Sequence, residues 1–184
     1  MNAVLITAGN KRIGRSIALK LSRAGFYIYL HHHDSGEEAT QTLGELEGAG
    51  EIIKCDLGCY SAVEEMIKDL STKTQKLTHV VNNASLFSCD QALDFTENSF
   101  VDHMNVNLRG PLQLARGLHN ILEKNDRGSV INILDSKVFA LNADFFSYTL
   151  SKHGLFGATE MMAQALSPKV RVNGIAPGLT MISE

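Results

Sequence analysis

Tyr148 and Lys152 are the two residues in this sequence with the clearest capacity for acid–base chemistry. They are four residues apart in a segment whose apolar pattern predicts a helix, so their side chains share one face, one turn apart. A phenol with a pKa of about 10 is a poor proton carrier at neutral pH, but a neighbouring ammonium favours its ionised form. Without further context, a tyrosine and a lysine at this spacing are most often a surface pair. Their role therefore depends on the motifs around them.

A glycine-containing turn at residues 7–14 follows the first predicted strand and leads directly into an amphipathic helix. Such a turn places free backbone N–H groups at the positive end of the helix, where they can bind a diphosphate. Gly9 and Gly14 could instead serve only a tight turn and close helix packing. Lys11 and Arg12 add cationic side chains that could hold a further phosphate.

Polar residues also follow two later strands. Asp56 comes directly after the third predicted strand, where it could accept a hydrogen bond from an adenine amino group or be a solvated turn residue. The segment Asn82-Asn83-Ala84-Ser85 follows the fourth, and its small residues would let a flat ring approach the backbone. By itself this segment is equally compatible with a turn.

Strand and helix patterns alternate along the chain, which predicts an α/β fold with a parallel sheet. The predicted strands cover residues 3–7, 26–31, 51–55, 78–82, 129–134 and 170–173. The predicted helices cover residues 13–24, about 35–47, 99–124 and 147–166. One more helix is predicted from the spacing of Val63, Met66, Ile67 and Leu70, and it begins at a capping box of Ser61 and Glu64. Right-handed crossovers would make this a doubly wound, Rossmann-like three-layer sandwich with ligands at the carboxyl ends of the strands. A sheet of this kind is expected to continue past Glu184, so we expect its C-terminal edge to be incomplete.

Composition excludes several other classes of function. The 184 residues predict one domain over 1–184, and the net charge of −3, without a long basic run, argues against nucleic acid as a partner. The first apolar run is too short to span a membrane and has no basic segment before it, so we expect a cytoplasmic protein without a membrane partner. The three cysteines form no CxxC pair, and the run of histidines at 31–33 has no carboxylate cluster, so no metal is expected.

Taken in order, these motifs resemble the short-chain dehydrogenase/reductase family over essentially the whole chain. The matching elements are the glycine turn, Asp56, Asn82-Asn83-Ala84, Asn107, Tyr148 with Lys152, and Asn173-Gly174-Ile175-Ala176-Pro177-Gly178. The resemblance implies that Tyr148 donates a proton, that Lys152 also binds a nicotinamide ribose, and that Asn107 holds a water in a proton relay. It further implies a small-molecule substrate, a homotetramer and a dinucleotide site made of Thr7, Gly9, Lys11, Arg12, Ile13, Gly14, His32, His33, Asp56, Leu57, Asn83, Ala84, Ser85, Tyr148, Lys152, Pro177 and Gly178.

Four details are similar to the pteridine reductases within that family. They are Lys11-Arg12 in the glycine turn, Asn83-Ala84-Ser85, Phe87 at the spacing of a pterin-stacking aromatic, and Asp135 thirteen residues before Tyr148, where most relatives carry a serine. This resemblance implies a pterin or folate-like substrate bound by Arg12, Ser85, Phe87, Asp135 and Tyr148.

The exchange of serine for Asp135 has a chemical interpretation. A hydroxyl donates a hydrogen bond to a carbonyl oxygen at any pH, whereas a carboxyl group donates only when protonated. Asp135 therefore suits a C=N ring nitrogen that must acquire a proton. The alternative is that Ser136 serves instead, because a shift of one residue along a strand reverses the facing of side chains.

Two residues depart from the family pattern. Ala8 replaces the usual first glycine of the turn, with little consequence if its φ is negative. Asp34 follows the second strand and would repel a 2′-phosphate, although Lys11, Arg12 and protonated or donating His32 and His33 could offset it. NADPH is the predicted cofactor and NADH stays open. A carbonyl reductase acting on 3-oxoacyl thioesters and an inactive nucleotide-binding protein are the alternative functions.

Overall fold

The computed structural model describes residues 2–178 and 180, and its core is one six-stranded parallel sheet. The strands are β1 Ala3–Ile6, β2 Tyr27–His32, β3 Gly50–Lys54, β4 Leu77–Asn82, β5 Gly128–Ile133 and β6 Val170–Ile175. The helices are α1 Arg12–Arg23, α2 Gly36–Gly44, α3 Tyr60–Thr72, α4 Glu97–Met104, α5 Gly110–Ile121 and α6 Phe146–Ala165. The strand order β3-β2-β1-β4-β5-β6 confirms the predicted doubly wound, Rossmann-like fold.

The sheet is buried on both faces, which explains why its strands are nearly continuous apolar runs. All four residues of β1 are fully buried, and they alternate between two hydrophobic clusters. Leu5 packs on the face covered by α3, α5 and α6, whereas Val4 and Ile6 pack on the face covered by α1 and α2.

The strand order reverses between β1 and β4, because β2 lies on one side of β1 and β4 on the other. At such a switch point the connections leave toward opposite faces and open a crevice at the carboxyl ends of the strands. The turn at 7–14 and the segment after β4 meet at this crevice.

The predicted helix 99–124 is interrupted. A π-helical segment, Asn105–Arg109, separates α4 from α5, and Pro111 stands in the first turn of α5. Pro111 lacks the N–H that an α-helix would direct at the carbonyl of Asn107, which favours the irregular turn. The insertion places the side chain of Asn107 against the segment that follows β4.

The predicted capping box at Ser61 and Glu64 is wrong. Helix α3 begins at Tyr60 with Cys59 as its N-cap, two positions earlier than a cap at Ser61 would require. Glu64 instead accepts hydrogen bonds from Gln113 and Arg116 of α5, so tertiary contacts determine its orientation.

Within residues 2–178 and 180, no helix is long and apolar enough to cross a membrane. The same residues contain no group of three or more His, Cys, Asp or Glu side chains that could hold a metal ion.

Candidate active site

The turn at 7–14 is held to the end of β4 by hydrogen bonds. The buried Thr7 hydroxyl donates to the carbonyl of Val81 at 3.3 Å and accepts from the backbone N–H groups of Asn83 and Ala84 at 2.8 and 2.9 Å. The Asn83 amide donates to the carbonyls of Thr7 and Ala8 at 3.0 and 3.2 Å. Thr7 and Asn83 therefore shape the turn, and their side chains are engaged with the protein itself.

The backbone of the turn is strained at Ala8 and tightly packed at Gly14. A Cβ added at Gly14 would lie 2.6 Å from Nδ2 of Asn83, so only glycine fits there. Ala8 has a φ of 47°, in the left-handed region that costs a side-chain-bearing residue about 1–2 kcal/mol. The condition of a negative φ at Ala8 is thus not met, and replacing the family's glycine has an energetic cost.

The start of α1 offers donors for an anion. Lys11 is its N-cap in an extended conformation, and among the described residues no side chain caps the helix. The N–H groups of Arg12, Ile13 and Gly14 belong to the first turn, where a helix has no internal acceptors and its dipole is positive. Lys11 and Arg12 have exposed side chains. This turn therefore fits a dinucleotide diphosphate.

His31 supports the turn, a role that the sequence did not indicate. Its Nδ1 accepts the N–H of Ala8 at 3.1 Å, and its Nε2 lies 3.0 Å from the carbonyl of Cys55, to which it donates. Burial lowers the pKa of His31 to about 4, so the ring is neutral and joins the turn to the end of β3. Its position at the end of β2 was the available signal.

The structure does not support a protonated His32. Its ring is buried, and burial followed by the charge of Lys54 lowers its pKa. A neutral ring retains one N–H donor but adds no positive charge. His33 is exposed and lies 3.4 Å from Asp34.

An acidic groove lies beside the end of β2, where a ribose 2′-substituent is expected in this fold. Its lining residues are Asp34, Ser35, Gly36, Glu37, Glu38 and Gln41. The three carboxylates of this groove repel an additional phosphate, so binding of a 2′-phosphate requires that Lys11 and Arg12 offset this repulsion.

Asp56 and Leu57 follow β3 at the carboxyl ends of the strands, and their side chains differ in burial. Asp56 is exposed, and its Oδ1 accepts the N–H of Gly58 at 2.8 Å, so its carboxylate closes a turn. The Leu57 side chain is buried in the core beside α3 and α5, which leaves only its backbone for the predicted cofactor contact.

Tyr148, Asp135 and Lys152 lie together at the end of β5 and the start of α6. The Tyr148 hydroxyl donates to Oδ2 of Asp135 at 2.7 Å, and Oδ1 of Asp135 accepts the N–H of Lys137 at 2.8 Å. The Lys152 ammonium donates to the carbonyl of Ile133 at 2.8 Å and lies 5.8 Å from the centre of the Tyr148 ring. Tyr148 and Lys152 are only 5% and 2% exposed, which excludes the alternative of a surface pair.

The pKa values of Tyr148 and Lys152 are both shifted in this cluster. Burial, then the hydrogen bond to Asp135 and its negative charge, raises the pKa of Tyr148, so the phenol stays protonated. Burial lowers the pKa of Lys152 to about 8, partly opposed by the charge of Asp135. The phenol bonds a carboxylate, whereas the Lys152 ammonium bonds the carbonyl of Ile133, and the ionisation of Tyr148 by Lys152 together with a positive nicotinamide ring stays a prediction.

Phe87 lies beside Tyr148. Its ring meets that of Tyr148 edge-on with 4.7 Å between centres, and stacks on Phe145 with 4.3 Å between centres. Phe87 is 52% exposed, so part of its surface is open to a ligand ring. The ammonium of Lys137 lies 5.3 Å from the centre of the Phe145 ring.

Asn107 is fully buried behind Phe87. Its amide donates to the carbonyl of Leu86 and to Oγ of Ser151 at 2.9 and 3.0 Å, and its oxygen accepts the N–H of Leu86 at 2.7 Å. Both amide hydrogens thus hold the protein chain, and neither is free for the predicted water.

The remaining predicted residues line the rim of the site. The exposed Ser85 donates to the carbonyl of Leu86 at 3.3 Å. The carbonyl of Pro177 accepts the N–H of Ser136 at 2.9 Å, which brings the segment after β6 to Asp135. No described atom lies within 4 Å of a Cβ added at Gly178.

A buried amide network fixes α6 to the sheet and was not expected from the sequence. Asn82 donates to Asn132 at 2.8 Å, and Asn132 donates to Thr159 of α6 at 2.9 Å. The three residues belong to separate elements, so no local pattern connects them.

The fold and this site define a short-chain dehydrogenase/reductase. Residues 2–183 match the family described as short chain dehydrogenase, and the chain belongs to that family of oxidoreductases, as the motifs predicted.

Among solved structures, the chain is similar to FolM Alternative dihydrofolate reductase 1 from Brucella canis, complexed with NADP, with 37% identity and a TM-score of 0.92 over 98% of this chain and 74% of that one. The same protein from Brucella suis, in complex with NADP, gives 37% identity and a TM-score of 0.93 over 98% and 76%. Among curated proteins, 3-oxoacyl-[acyl-carrier-protein] reductase FabG from Staphylococcus epidermidis is 28% identical over 96% of this chain and 74% of its own length.

Proposed function

We propose that this protein reduces a C=N bond of a pterin-type substrate, of the dihydropteridine or dihydrofolate kind, with hydride from NADPH. The observation that carries the proposal is the 2.7 Å hydrogen bond from the Tyr148 hydroxyl to the Asp135 carboxylate. Reduction of C=N adds hydride to carbon and a proton to nitrogen, and this pair holds one proton between two oxygens. The similarity to two FolM dihydrofolate reductases supports the same assignment.

The residues present fit a nicotinamide dinucleotide. The first-turn N–H groups of α1 would hold the diphosphate, and Lys152 and Tyr148 would contact the ribose and ring beside Pro177 and Gly178. When bound, the cofactor supplies hydride to the substrate carbon.

Asp135 and Tyr148 together would deliver the proton. The raised pKa of Tyr148 keeps its proton on the phenol until a more basic acceptor arrives, and a ring nitrogen that gains electron density is such an acceptor. The proton can pass from the phenol directly or through the Asp135 carboxyl group. The buried Lys152 ammonium would balance the negative charge that remains on the pair.

Asp135 is a better candidate for this role than Ser136. The Tyr148 hydroxyl is bonded to Asp135, whereas Ser136 is exposed and its hydroxyl lies 3.5 Å from Oδ1 of Asp135. Phe87 supports a flat substrate, because its half-exposed ring lies at the edge of Tyr148 and offers a stacking surface.

NADPH is favoured over NADH by the exposed cations Lys11 and Arg12 and by the NADP held in the similar structures. The acidic groove at Asp34 favours NADH instead. We also propose the homotetramer that the family resemblance implies, and an apolar groove on α3, α5 and α6, where Met161 is 72% exposed, offers a surface for subunit contact.

A 3-oxoacyl thioester reductase is the second candidate, favoured by the 28% identity to FabG. The deciding experiment measures NADPH and NADH oxidation by the purified protein with dihydrobiopterin, dihydrofolate and an acetoacetyl thioester. Turnover of a pterin above that of the thioester supports the proposal. Turnover of the thioester alone would reassign the protein as a carbonyl reductase, and no turnover with any substrate would favour an inactive nucleotide-binding protein.

A further inference from the structure

We propose that Asp90 is a positioning residue that couples the loop carrying Phe87 to the helix carrying Tyr148. The inference rests in part on the proposed function, because it treats Phe87 as a substrate contact. Asp90 is three residues after Phe87 in the chain, yet it lies against the first turn of α6.

Asp90 accepts hydrogen bonds from backbone N–H groups at the start of α6, although it lies 57 residues before Ser147 in the sequence. Its Oδ1 accepts the N–H of Ser147 at 2.9 Å, and its carbonyl accepts the N–H of Phe146 at 3.0 Å. The N-cap residue itself, Phe145, is left-handed with a φ of 58° and has no side chain that could accept these bonds. A helix begun by phenylalanine therefore depends on a carboxylate from another element.

The carboxylate is ionised inside the protein. Asp90 is 8% exposed, and its Oδ2 accepts the hydroxyl of Ser99 at 3.1 Å. Burial acts to raise its pKa, but the hydrogen bonds from Ser147 and Ser99 lower it below the ordinary value. An anion at the positive end of α6 is in a favourable position.

The loop from β4 to α4 has two further fixed points. Asn107 holds both backbone groups of Leu86, and Nε2 of His103 lies 3.2 Å from the hydroxyl of Ser88. These contacts attach the residues on either side of Phe87 to the helical segment 97–109. Only Asp90 attaches the loop to α6, among the hydrogen bonds of the described residues.

The bond from Ser147 to Asp90 affects the position of the neighbouring Tyr148. Because Tyr148 directly follows Ser147, this bond holds the backbone of Tyr148 at a fixed position relative to the loop. The edge-on contact of Phe87 and Tyr148, with 4.7 Å between centres, depends on that placement. A shift of about 1 Å between a stacking surface and a proton donor can cost a hundredfold in rate.

The test compares Asp90→Ala, Asp90→Asn and Asp94→Ala in the full-length protein. Asp94 is the matched control, because it is an exposed carboxylate of the same loop that accepts only the local N–H of Gln91. For Asp90→Ala we expect kcat to fall on the order of ten- to a hundredfold, with an unchanged Kd for NADPH. Asp90→Asn should recover most of that rate, since asparagine can still accept the Ser147 N–H. Asp94→Ala should retain wild-type kinetics.

A double variant isolates the coupling. Phe87→Ala/Asp90→Ala should have the same KM for dihydrobiopterin as Phe87→Ala alone, because the loop then has no ring to position. Equal losses of kcat in Asp90→Ala and Asp94→Ala, or an Asp90→Asn enzyme as impaired as Asp90→Ala, would overturn the inference. If Asp90→Ala does not fold, Asp90→Asn and Ser99→Ala decide: each should lower kcat by less than about tenfold with an unchanged Kd for NADPH, and a wild-type kcat in both would overturn the inference.

The two proposals fail differently. If the wild-type protein reduces only the thioester, the pterin assignment is wrong. The role of Asp90 can still be tested, because Asp90→Ala should then lower kcat for the thioester by displacing Tyr148. An unchanged kcat with whichever substrate is turned over would defeat the role of Asp90 alone.

Discussion

The hydroxyl of Tyr148 donates a 2.7 Å hydrogen bond to Oδ2 of Asp135, and burial together with this bond raises the pKa of the phenol and keeps it protonated. In a mechanism based on tyrosinate, a cation would be the closest partner of the phenol. Here the closest partner is a carboxylate, while the Lys152 ammonium bonds the carbonyl of Ile133. In the proposed mechanism this pair holds the proton that is delivered to a basic ring nitrogen.

Replacing Asp135 by serine should exchange one activity for another. Asp135→Ser is expected to lose most pterin turnover because the carboxyl partner of Tyr148 is gone, and to keep or gain activity on a small activated ketone, whose oxygen can accept from a hydroxyl. Steady-state rates on both substrates check this, with Ser136→Ala as the control at the neighbouring position. Undiminished pterin reduction by Asp135→Ser would contradict the mechanism.

Lys152 should produce an alkaline limit to activity. Its pKa of about 8 lies below the ordinary 10.5, so kcat should fall as pH rises through about 8 and the ammonium loses its proton. The titration of Lys152 does not itself destabilise the fold, because between pH 8 and 10.5 this group binds more protons in the unfolded chain and its contribution to stability rises with pH. Lys152→Arg, which stays charged, should be slower but without this limit. Rates and melting temperatures from pH 6 to 10 test both statements, and an unchanged alkaline limb in Lys152→Arg would assign it to another group.

Phe87→Ala should weaken pterin binding by about 0.5–1.5 kcal/mol beyond lost burial, the range for a stacked aromatic pair. Leu93→Ala is the control, because Leu93 is a fully exposed apolar residue of the same loop. Dissociation constants for dihydrobiopterin in the presence of NADP⁺ give the comparison. Equal affinities in the two variants would make Phe87 a packing residue.

Asp34→Arg should shift cofactor preference toward NADPH. Removing one carboxylate from the acidic groove and adding a cation should change the ratio of kcat/KM for NADPH to that for NADH by roughly fivefold, the scale of about 1 kcal/mol for an exposed charge pair. Asp102→Arg makes the same change of charge on α4 and should leave the ratio unchanged. Improved use of NADH by Asp34→Arg would mean that the 2′-substituent does not lie beside β2.

His31 should make the folded protein sensitive to acid. The unfolded chain protonates this histidine near 6.5 and the folded chain only near 4, so the unfolded state binds more protons in that window. Stability is therefore expected to fall by about 3 kcal/mol as pH drops from 6.5 to 4 and to be unaffected by this group above 6.5. Urea unfolding at several pH values should show a smaller slope for His31→Gln. His33→Gln, at an exposed site, should keep the wild-type slope, and a His31→Gln protein with that same slope would refute the assignment.

Local patterns were sufficient for much of the fold and for part of the site. The six strands follow from short apolar runs separated by helical periods, because a parallel sheet buried on both faces requires such runs. The pairing of Tyr148 with Lys152 on one face and the place of Gly14 in a tight turn also depend only on neighbours in sequence. The capping box at Ser61 failed for the opposite reason, since Glu64 bonds α5 and the helix begins two residues earlier than a cap at Ser61 requires.

Sequence motifs were enough to identify the family and the parallel sheet, and they predicted that Asp135, Tyr148 and Lys152 belong to one site. The packed fold was needed to show that Tyr148 bonds Asp135, that His31 supports the strained Ala8, and that Asp90 caps the helix of Tyr148. These three contacts join residues 13, 23 and 57 positions apart. A hydrogen bond over such a separation, and the burial that shifts a pKa, exist only once separate elements have packed together.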